Sequence, residues 1–320
     1  VIAGAYRVHQ GYSEVGKILA FLTYFTIILN AMINISKMFV IISKAVASAN
    51  RIVEIIDVPQ DMETAVCEKT GEDGAYIRFE HVTFSYQPQE QFAKQEPQPC
   101  LTDISFSLQK GETLGIIGAT GAGKSTIAAL LMRFYDVNEG TISIGGENIR
   151  TIPTGRLREL FGVVFQNDTI FEDTIAENVR MGRTLSDDDI RKAVMHAKAK
   201  EFVEAAGRGY DNQMNVRGAN LSGGQKQRIL IARALAAHPD ILILDDSSSA
   251  LDYRTDALLR HELAAHFADT TKLIIAQRIS SIMHADHIMV LEDGKIAGYG
   301  THEELLERCG IYREIRDSQV

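Results

Sequence analysis

The sequence contains no tryptophan and only three cysteines, Cys67, Cys100 and Cys309, among its 320 residues. The cysteines are odd in number and far apart, without metal-ligand spacing or a disulfide framework, so the chain suits a reducing cytosol. Acidic residues outnumber basic ones, and the net charge of −9 argues against a nucleic-acid partner. No basic region precedes a short apolar core with a cleavage site, so we expect no signal peptide.

The remaining composition is that of an ordinary globular protein, with 45% hydrophobic and 23% charged residues. The length suggests about two domains. A polar stretch at 58–75 predicts a linker, and a stretch rich in Gln, Pro and Glu at 87–99 predicts an exposed loop. The alternation over 76–86 predicts a pair of strands, and residues 190–240 read as largely helical.

Residues 18–36 form one long apolar run, ILAFLTYFTIILNAMINIS, flanked by lysine on both sides. As a helix, this run rises about 28 Å, close to the thickness of a bilayer core. It therefore predicts a transmembrane helix, with a buried helix of a soluble domain as the alternative. Helical character continues to residue 57, and Lys37, Lys44 and Arg51 favour a cytoplasmic location for this end.

A glycine-rich loop follows the apolar strand 114–117 and precedes a helix from about residue 124. The loop reads Gly118, Ala119, Thr120, Gly121, Ala122, Gly123, Lys124 and Ser125, a complete P-loop. Its glycines let backbone N–H groups converge on phosphate oxygens, and the helix N-terminus adds a favourable dipole. Lys124 is expected to neutralise the β- and γ-phosphates of ATP, and the Ser125 hydroxyl to bind Mg²⁺.

Two later segments extend this pattern. The buried run 241–244 ends at Asp245, which a parallel strand would deliver to the nucleotide edge of a sheet to hold Mg²⁺ through water. A second glycine turn, Leu221, Ser222, Gly223, Gly224 and Gln225, precedes a helix and offers a second phosphate-binding end. A simple helix cap is the structural alternative for this turn.

Together these motifs resemble the nucleotide-binding domain of an ABC transporter of the exporter type, in the multidrug and lipid exporter group. The resemblance covers 76–320 by its motifs and 1–57 by its pattern. It implies an α/β fold of the P-loop NTPase class, with a mixed sheet core, an antiparallel β subdomain and a helical subdomain. The implied organisation is a last transmembrane helix with its cytoplasmic extension at 1–57, a linker, and the ATPase domain at 76–320.

The same resemblance implies several residue roles. Tyr86 would stack on adenine, Thr126 would belong to the nucleotide site, and Gln166 would sense Mg²⁺ beside Ser125 and Asp245. The 221–225 turn would close over ATP held by a second nucleotide-binding domain. The segment Ser249, Ala250, Leu251 and Asp252 would cross between the two ATPase domains.

Two positions depart from the family pattern near the γ-phosphate. Asp246 stands where such ATPases usually carry a catalytic Glu, and Gln277 stands where they carry a His. An aspartate side chain falls roughly 1.5 Å short, and a displacement of about 1 Å costs on the order of 10²-fold in rate. A glutamine cannot become cationic. The chain is therefore expected to bind ATP well and to hydrolyse it poorly in its own site.

The resemblance leads us to expect the C-terminal portion of a half-transporter, multi-pass in the full-length protein, in a cell membrane with its ATPase domain in the cytoplasm. Its expected partners are membrane lipid, a transported substrate and a second half-transporter that forms a heterodimer with it. A homodimeric exporter with two slow sites is one alternative. A non-transport ATP switch is another, against which the apolar run at 18–36 argues.

Overall fold

A computed structural model describes residues 2–12, 14–57, 74–86, 99–247 and 249–319. The chain divides into two compact units, Val1–Asp61 and Met62–Val320. The predicted linker and the predicted loop at 87–99 fall almost entirely outside the described residues. The domain boundaries drawn from the sequence therefore stay predictions.

The described residues of the first unit form two helices, α1 (Ile2–His9) and α2 (Val15–Ile56). The 42 residues of α2 rise about 63 Å, roughly twice the thickness of a bilayer core. By length and composition, α2 is the one helix among the described residues that can cross a membrane, and none of its apolar stretch is buried within the chain. Helical structure runs unbroken through the predicted span and its extension.

The second unit contains two sheets. Its strands within the described residues are β1 (Ile77–Phe84), β2 (Leu101–Leu108), β3 (Thr113–Gly118), β4 (Glu139–Ile144), β5 (Glu147–Asn148), β6 (Phe161–Val164), β7 (Ile241–Asp245), β8 (Thr271–Ile275), β9 (His287–Glu292) and β10 (Lys295–Gly300). A four-stranded antiparallel sheet has the order β2-β1-β4-β5. A six-stranded sheet has the order β10-β9-β3-β8-β7-β6 and is parallel except for β10.

Helices cover these sheets and form a separate helical layer. Those in the described part of the second unit are α3 (Lys124–Leu131), α4 (Thr154–Glu159), α5 (Ile175–Arg180), α6 (Asp187–His196), α7 (Lys200–Ala205), α8 (Gly223–Leu235), α9 (Tyr253–His266), α10 (His302–Arg308) and α11 (Gly310–Asp317). Ser186 and Asp189 form a reciprocal capping box at the start of α6, which stabilises the first turn of this helix. The mixed sheet, the antiparallel sheet and the helical layer confirm the predicted fold class.

One local prediction was wrong. The stretch 76–86 contains the single strand β1 rather than a pair, and a bulge shifts its register around His81, whose φ is 49°. Residues 190–240 are largely helical, as expected. Within them, 206–222 contain only two short 3₁₀ turns, Gly209–Asp211 and Val216–Gly218. Consecutive positive φ angles at Arg217 and Gly218 prevent a continuous helix there.

A buried guanidinium joins α8 to α5 and to the segment before it. Arg233 is 5% exposed and donates from Nε to the Asn178 carbonyl at 2.8 Å and from Nη1 to the Thr169 carbonyl at 2.9 Å. Asp168 lies 3.4 Å from the same guanidinium. Buried polar groups are normally hydrogen-bonded, and here one cation serves acceptors from both segments.

We predict that Arg233→Met lowers the free energy of unfolding by about 3 kcal/mol, because it leaves buried acceptors and Asp168 without their partner. Arg254→Met, on the exposed first turn of α9, is the matched control and should change stability by less than about 0.5 kcal/mol. Urea unfolding of the detergent-solubilised chain measures both. Equal midpoints for the two variants would contradict the structural role of Arg233.

Candidate functional site

The carboxyl ends of four parallel strands meet at one edge of the six-stranded sheet. β3 leads into the 118–125 loop, and β7 ends at Asp245. Gln166 lies two residues beyond β6, and Gln277 lies two residues beyond β8. Because β3 pairs with β8 and β8 pairs with β7 in parallel, these chain segments converge. Ligand sites in open parallel sheets form at such an edge.

A cleft of about 270 Å³ opens at this edge. Its walls are formed by Cys100, Thr120, Gly121, Gly123, Lys124, Ser125, Thr126, Gln166, Asp245, Asp246, Ile275, Ala276 and Gln277. Ten of these thirteen are residues singled out in the sequence. Ile275, Ala276 and Cys100 were not, and Cys100 enters the wall because β2 begins beside the glycine loop, a contact without a signal in the sequence.

The backbone of the loop requires glycine at two positions. Gly123 has a φ of 98°, and a Cβ there would come within 2.6 Å of Leu101 Cδ2. A Cβ on Gly118 would come within 2.2 Å of the Leu291 carbonyl oxygen. Glycine lets the chain pass close to β9 and turn into α3, whose N-terminal residues then line the cleft. The N-terminus of a helix favours bound anions.

Lys124 is held by the loop that precedes it. Its Nζ donates to the carbonyl oxygens of Gly118 and Ala119, both at 2.8 Å. Burial lowers the pKa of this lysine, while the carboxylates of Asp245 and Asp246 act in the opposite direction. The ammonium group therefore lies between backbone carbonyls and two acids, poised to exchange these contacts for anionic oxygens.

Asp245 is 7% exposed at the end of β7. Burial raises its pKa, while a hydrogen bond from the Ser125 hydroxyl and the charge of Lys124 lower it. Ser125 and Asp245 thus present a hydroxyl and a carboxylate oxygen to one point, and Gln166 lines the same cleft. Such oxygen donors fit Mg²⁺, which prefers a few protein oxygens and completes its shell with water and phosphate.

Asp246 follows β7 in a left-handed conformation, with a φ of 49°. Its Oδ2 accepts a hydrogen bond from Gln277 Nε2 at 2.9 Å and a longer one from Gln166 Nε2 at 3.4 Å. Burial and the neighbouring Asp245 raise the pKa of Asp246, while Arg278 and Lys124 lower it. The structure thus brings both residues that depart from the family pattern into direct contact.

Tyr86 lies beside the cleft and is not part of its described wall. Its hydroxyl is 3.1 Å from Thr126 Oγ1, and its ring packs edge-on against Phe84 and Tyr135. The side chain remains 43% exposed, so one face of the ring is accessible. Gly118, Ala119 and Ala122 also lie outside the described wall, and Ala122 is buried under it.

The second glycine turn stands apart from this cleft. Ser222 and Gln225 form a capping box at the start of α8, in which the Ser222 hydroxyl accepts from the Gln225 N–H at 3.3 Å. A Cβ on Gly223 would lie 3.7 Å from Ala250, so the 221–225 turn packs beside the 249–252 segment. Asp252 ends that segment by capping α9. Neither segment contributes to the described wall of the cleft.

Comparisons with known proteins agree with this architecture. A family model described as ABC transporter matches residues 101–249. The chain is 38% identical over 318 residues to a protein of Staphylococcus aureus strain NCTC 8325 named "Putative multidrug export ATP-binding/permease protein", and 38% identical to a protein of the same name in the bovine strain RF122. These alignments cover 99% of the chain and 54% of each relative, so the chain spans about half their length.

The structural comparison extends the match over the whole chain. A bacterial Atm1-family ABC exporter solved with ATP bound has a TM-score of 0.79 and 33% sequence identity to it. The match covers 100% of this chain and 55% of that one. Fold, motif order and relatives agree: residues 101–249 match the ABC transporter family, and the whole chain is similar in sequence and structure to exporters of that family.

Proposed function

We propose that this chain couples ATP binding and hydrolysis to the export of a substrate across a membrane, as the C-terminal portion of one half of a heterodimeric exporter. The observation that carries the proposal is the convergence of the glycine loop, Asp245, Asp246, Gln166 and Gln277 on a single cleft. The apolar helix α2 and the names of the relatives support a location in the membrane, with the ATPase domain in the cytoplasm.

ATP would bind with its phosphates against the 118–125 loop and the N-terminus of α3. The ammonium group of Lys124 is partly desolvated and would exchange two carbonyl contacts for phosphate oxygens. The accessible face of Tyr86 would receive the adenine. Ser125, Gln166 and Asp245 would hold Mg²⁺, which when bound draws charge from the phosphate oxygens.

Hydrolysis in this cleft would be slow. Asp246 would polarise the attacking water, but its shorter side chain reaches less far than a glutamate would. Gln277 donates to the same Oδ2 that would act as the base. An amide that donates to a carboxylate lowers its basicity, and unlike a histidine it cannot take up a proton. The site is thus suited to hold ATP rather than to turn it over.

The position of the second glycine turn supports a two-chain assembly. The 221–225 turn forms the N-terminal end of α8, which suits phosphate binding, yet it lies away from this chain's own cleft. It would therefore close over ATP held by a second nucleotide-binding domain, with 249–252 at the boundary between the domains. An intact turn beside a weakened cleft favours a partner with the working site. A homodimer with two slow sites remains the alternative, because Asp246 keeps a carboxylate in the cleft.

We predict that Lys124→Ala weakens ATP binding by about 2 kcal/mol, roughly thirtyfold in Kd, because it removes a charged hydrogen-bonding partner of the phosphates. Titration of the purified chain with a fluorescent ATP analogue measures the change. Lys295→Ala, at the exposed start of β10, is the control and should bind as the unmodified chain does. Unchanged affinity in Lys124→Ala would refute the nucleotide site.

We predict that Asp246→Glu combined with Gln277→His raises turnover at this site by about tenfold or more, because it restores reach and a titratable partner. Single-turnover detection of ADP in the assembled full-length transporter, resolved by site, measures this. Asp246→Glu alone tests the reach by itself. No gain in the double variant would mean that these two residues do not limit hydrolysis.

We predict unequal effects of two further variants on the ATPase rate of the assembled transporter. Ser222→Ala should remove most of the steady-state rate, because it damages the phosphate clamp of the partner's working site. Asp246→Asn should cost much less. Ser186→Ala removes a capping box of the same kind from α6 and controls for the loss of the helix cap, worth about 1 kcal/mol.

The comparison of these variants separates the two assemblies. A loss from Asp246→Asn that equals or exceeds the loss from Ser222→Ala would contradict the heterodimer and favour a homodimer in which Asp246 is the working base. A loss from Ser186→Ala as large as that from Ser222→Ala would assign the effect to the stability of helix starts.

A further inference from the structure

Two helices far apart in sequence bring two imidazoles and a carboxylate together on the face away from the loop and acids of the cleft described above. His196 ends α6, while Glu262 and His266 lie one turn apart on α9. The His196 Nδ1 atom is 3.0 Å from Glu262 Oε2, and the His266 Nε2 atom is 3.7 Å from the same oxygen. One donor atom from each residue lies within 4.8 Å of the others.

These separations are those of ligands around one small cation. Tetrahedral zinc with bonds of 2.0–2.1 Å places neighbouring donor atoms about 3.4 Å apart, and the two measured distances bracket that value. Three converging donors of the His, His and Glu type form a common zinc set that leaves a fourth position open. Two histidines and one carboxylate also suit Co²⁺ and other transition metals better than Mg²⁺ or Ca²⁺.

The carboxylate is oriented for this task. Lys198 Nζ donates to Glu262 Oε1 at 2.5 Å, which leaves Oε2 directed at the two imidazoles. A partner on the second oxygen of a ligating carboxylate fixes its orientation, as is usual around protein metal sites.

The cluster is open to solvent through a cavity. His196 and His266 border a space of about 420 Å³ between α6, the end of α8 and the start of β8. Its other charged or titratable wall residues are Lys110, Asp189, Lys192, His238, Asp240 and Asp269. His266 is 54% exposed while His196 is 14% exposed. An ion therefore has an entry path, and water has room at the open position.

We propose that His196, Glu262 and His266 form a binding site for a divalent transition-metal ion of the Zn²⁺ class. The ligand atoms are His196 Nδ1, Glu262 Oε2 and His266 Nε2, with the fourth position facing the cavity. The ion joins the end of α6 to the end of α9, so it ties the helical layer to the helix that Asp252 caps. The site lies outside the cleft that holds Lys124 and Asp246, and it does not depend on ATP.

The test is a calorimetric titration of the purified, metal-stripped chain with Zn²⁺ at neutral pH. Excess Mg²⁺ is present to occupy oxygen-rich sites. We expect one Zn²⁺ per chain at this site. Both His266→Gln and His196→Gln should weaken it by about 100-fold or more, since a structural zinc ion shares its binding energy among few ligands. His238→Gln is the matched control, because this histidine borders the same cavity outside the cluster. The Zn²⁺ affinity of this variant should stay within about threefold of that of the unmodified chain.

Two further readouts separate metal binding from folding. Zn²⁺ should raise the melting temperature of the unmodified chain and of His238→Gln, but not that of His266→Gln, whose exposed position leaves the metal-free melting temperature unchanged. Co²⁺ should give the visible absorption of a four-coordinate ion in the unmodified chain but not in His266→Gln. Equal Zn²⁺ affinity in the unmodified chain and in His266→Gln, or no Zn²⁺ binding at all, would overturn the proposal and leave only the ion pair of Lys198 and Glu262.

Discussion

Parallel pairing of β3, β8 and β7 is the constraint on which the candidate nucleotide site depends. The register sets Ile116 beside Ile275, and Ile275 beside Asp245. Since side chains alternate between the faces of a sheet, a shift of one residue in β7 would turn Asp245 away from Ser125. The buried apolar residues of β7 hold this register, because both faces of the strand are covered.

Charge at the strand ends is balanced across chain segments rather than within any one of them. Asp245 and Asp246 are adjacent in sequence, and the charge of Asp245 opposes the ionisation of Asp246. Lys124, from a loop more than a hundred residues earlier, offsets this repulsion. Gln166 and Gln277 add hydrogen bonds to Asp246 without adding charge. The geometry of the sheet thus sets the electrostatics of the site.

Much of this could be predicted, because the features concerned are local. The P-loop, the run before Asp245, the capped start of α6 and the long helix α2 each carry their cause in a few consecutive residues. The strand pair expected at 76–86 was wrong, because the chain forms one strand with a bulge at His81, where φ is positive. Such angles depend on contacts with other strands and loops, which periodicity does not report.

Contacts between distant segments could not be predicted in the same way. Asp246 and Gln277 were identified from the sequence as departures from the family pattern. The hydrogen bond that Gln277 donates to Asp246 could not be predicted from it. Cys100 enters the cleft wall only because β2 starts beside Gly123. His196 and Glu262 are 66 positions apart and meet through the packing of α6 on α9. Neither residue belongs to a motif.

At position 246 the fold and the proposed chemistry place different requirements on the side chain. A φ of 49° is tolerated by aspartate, asparagine and glycine and is costly for β-branched side chains. Asparagine is one nucleotide change away from aspartate, so this position can lose its carboxylate with little harm to the turn. In evolutionary terms, a change from aspartate to asparagine here need not pass through an unfolded intermediate. Selection on the fold alone therefore does not preserve the acid.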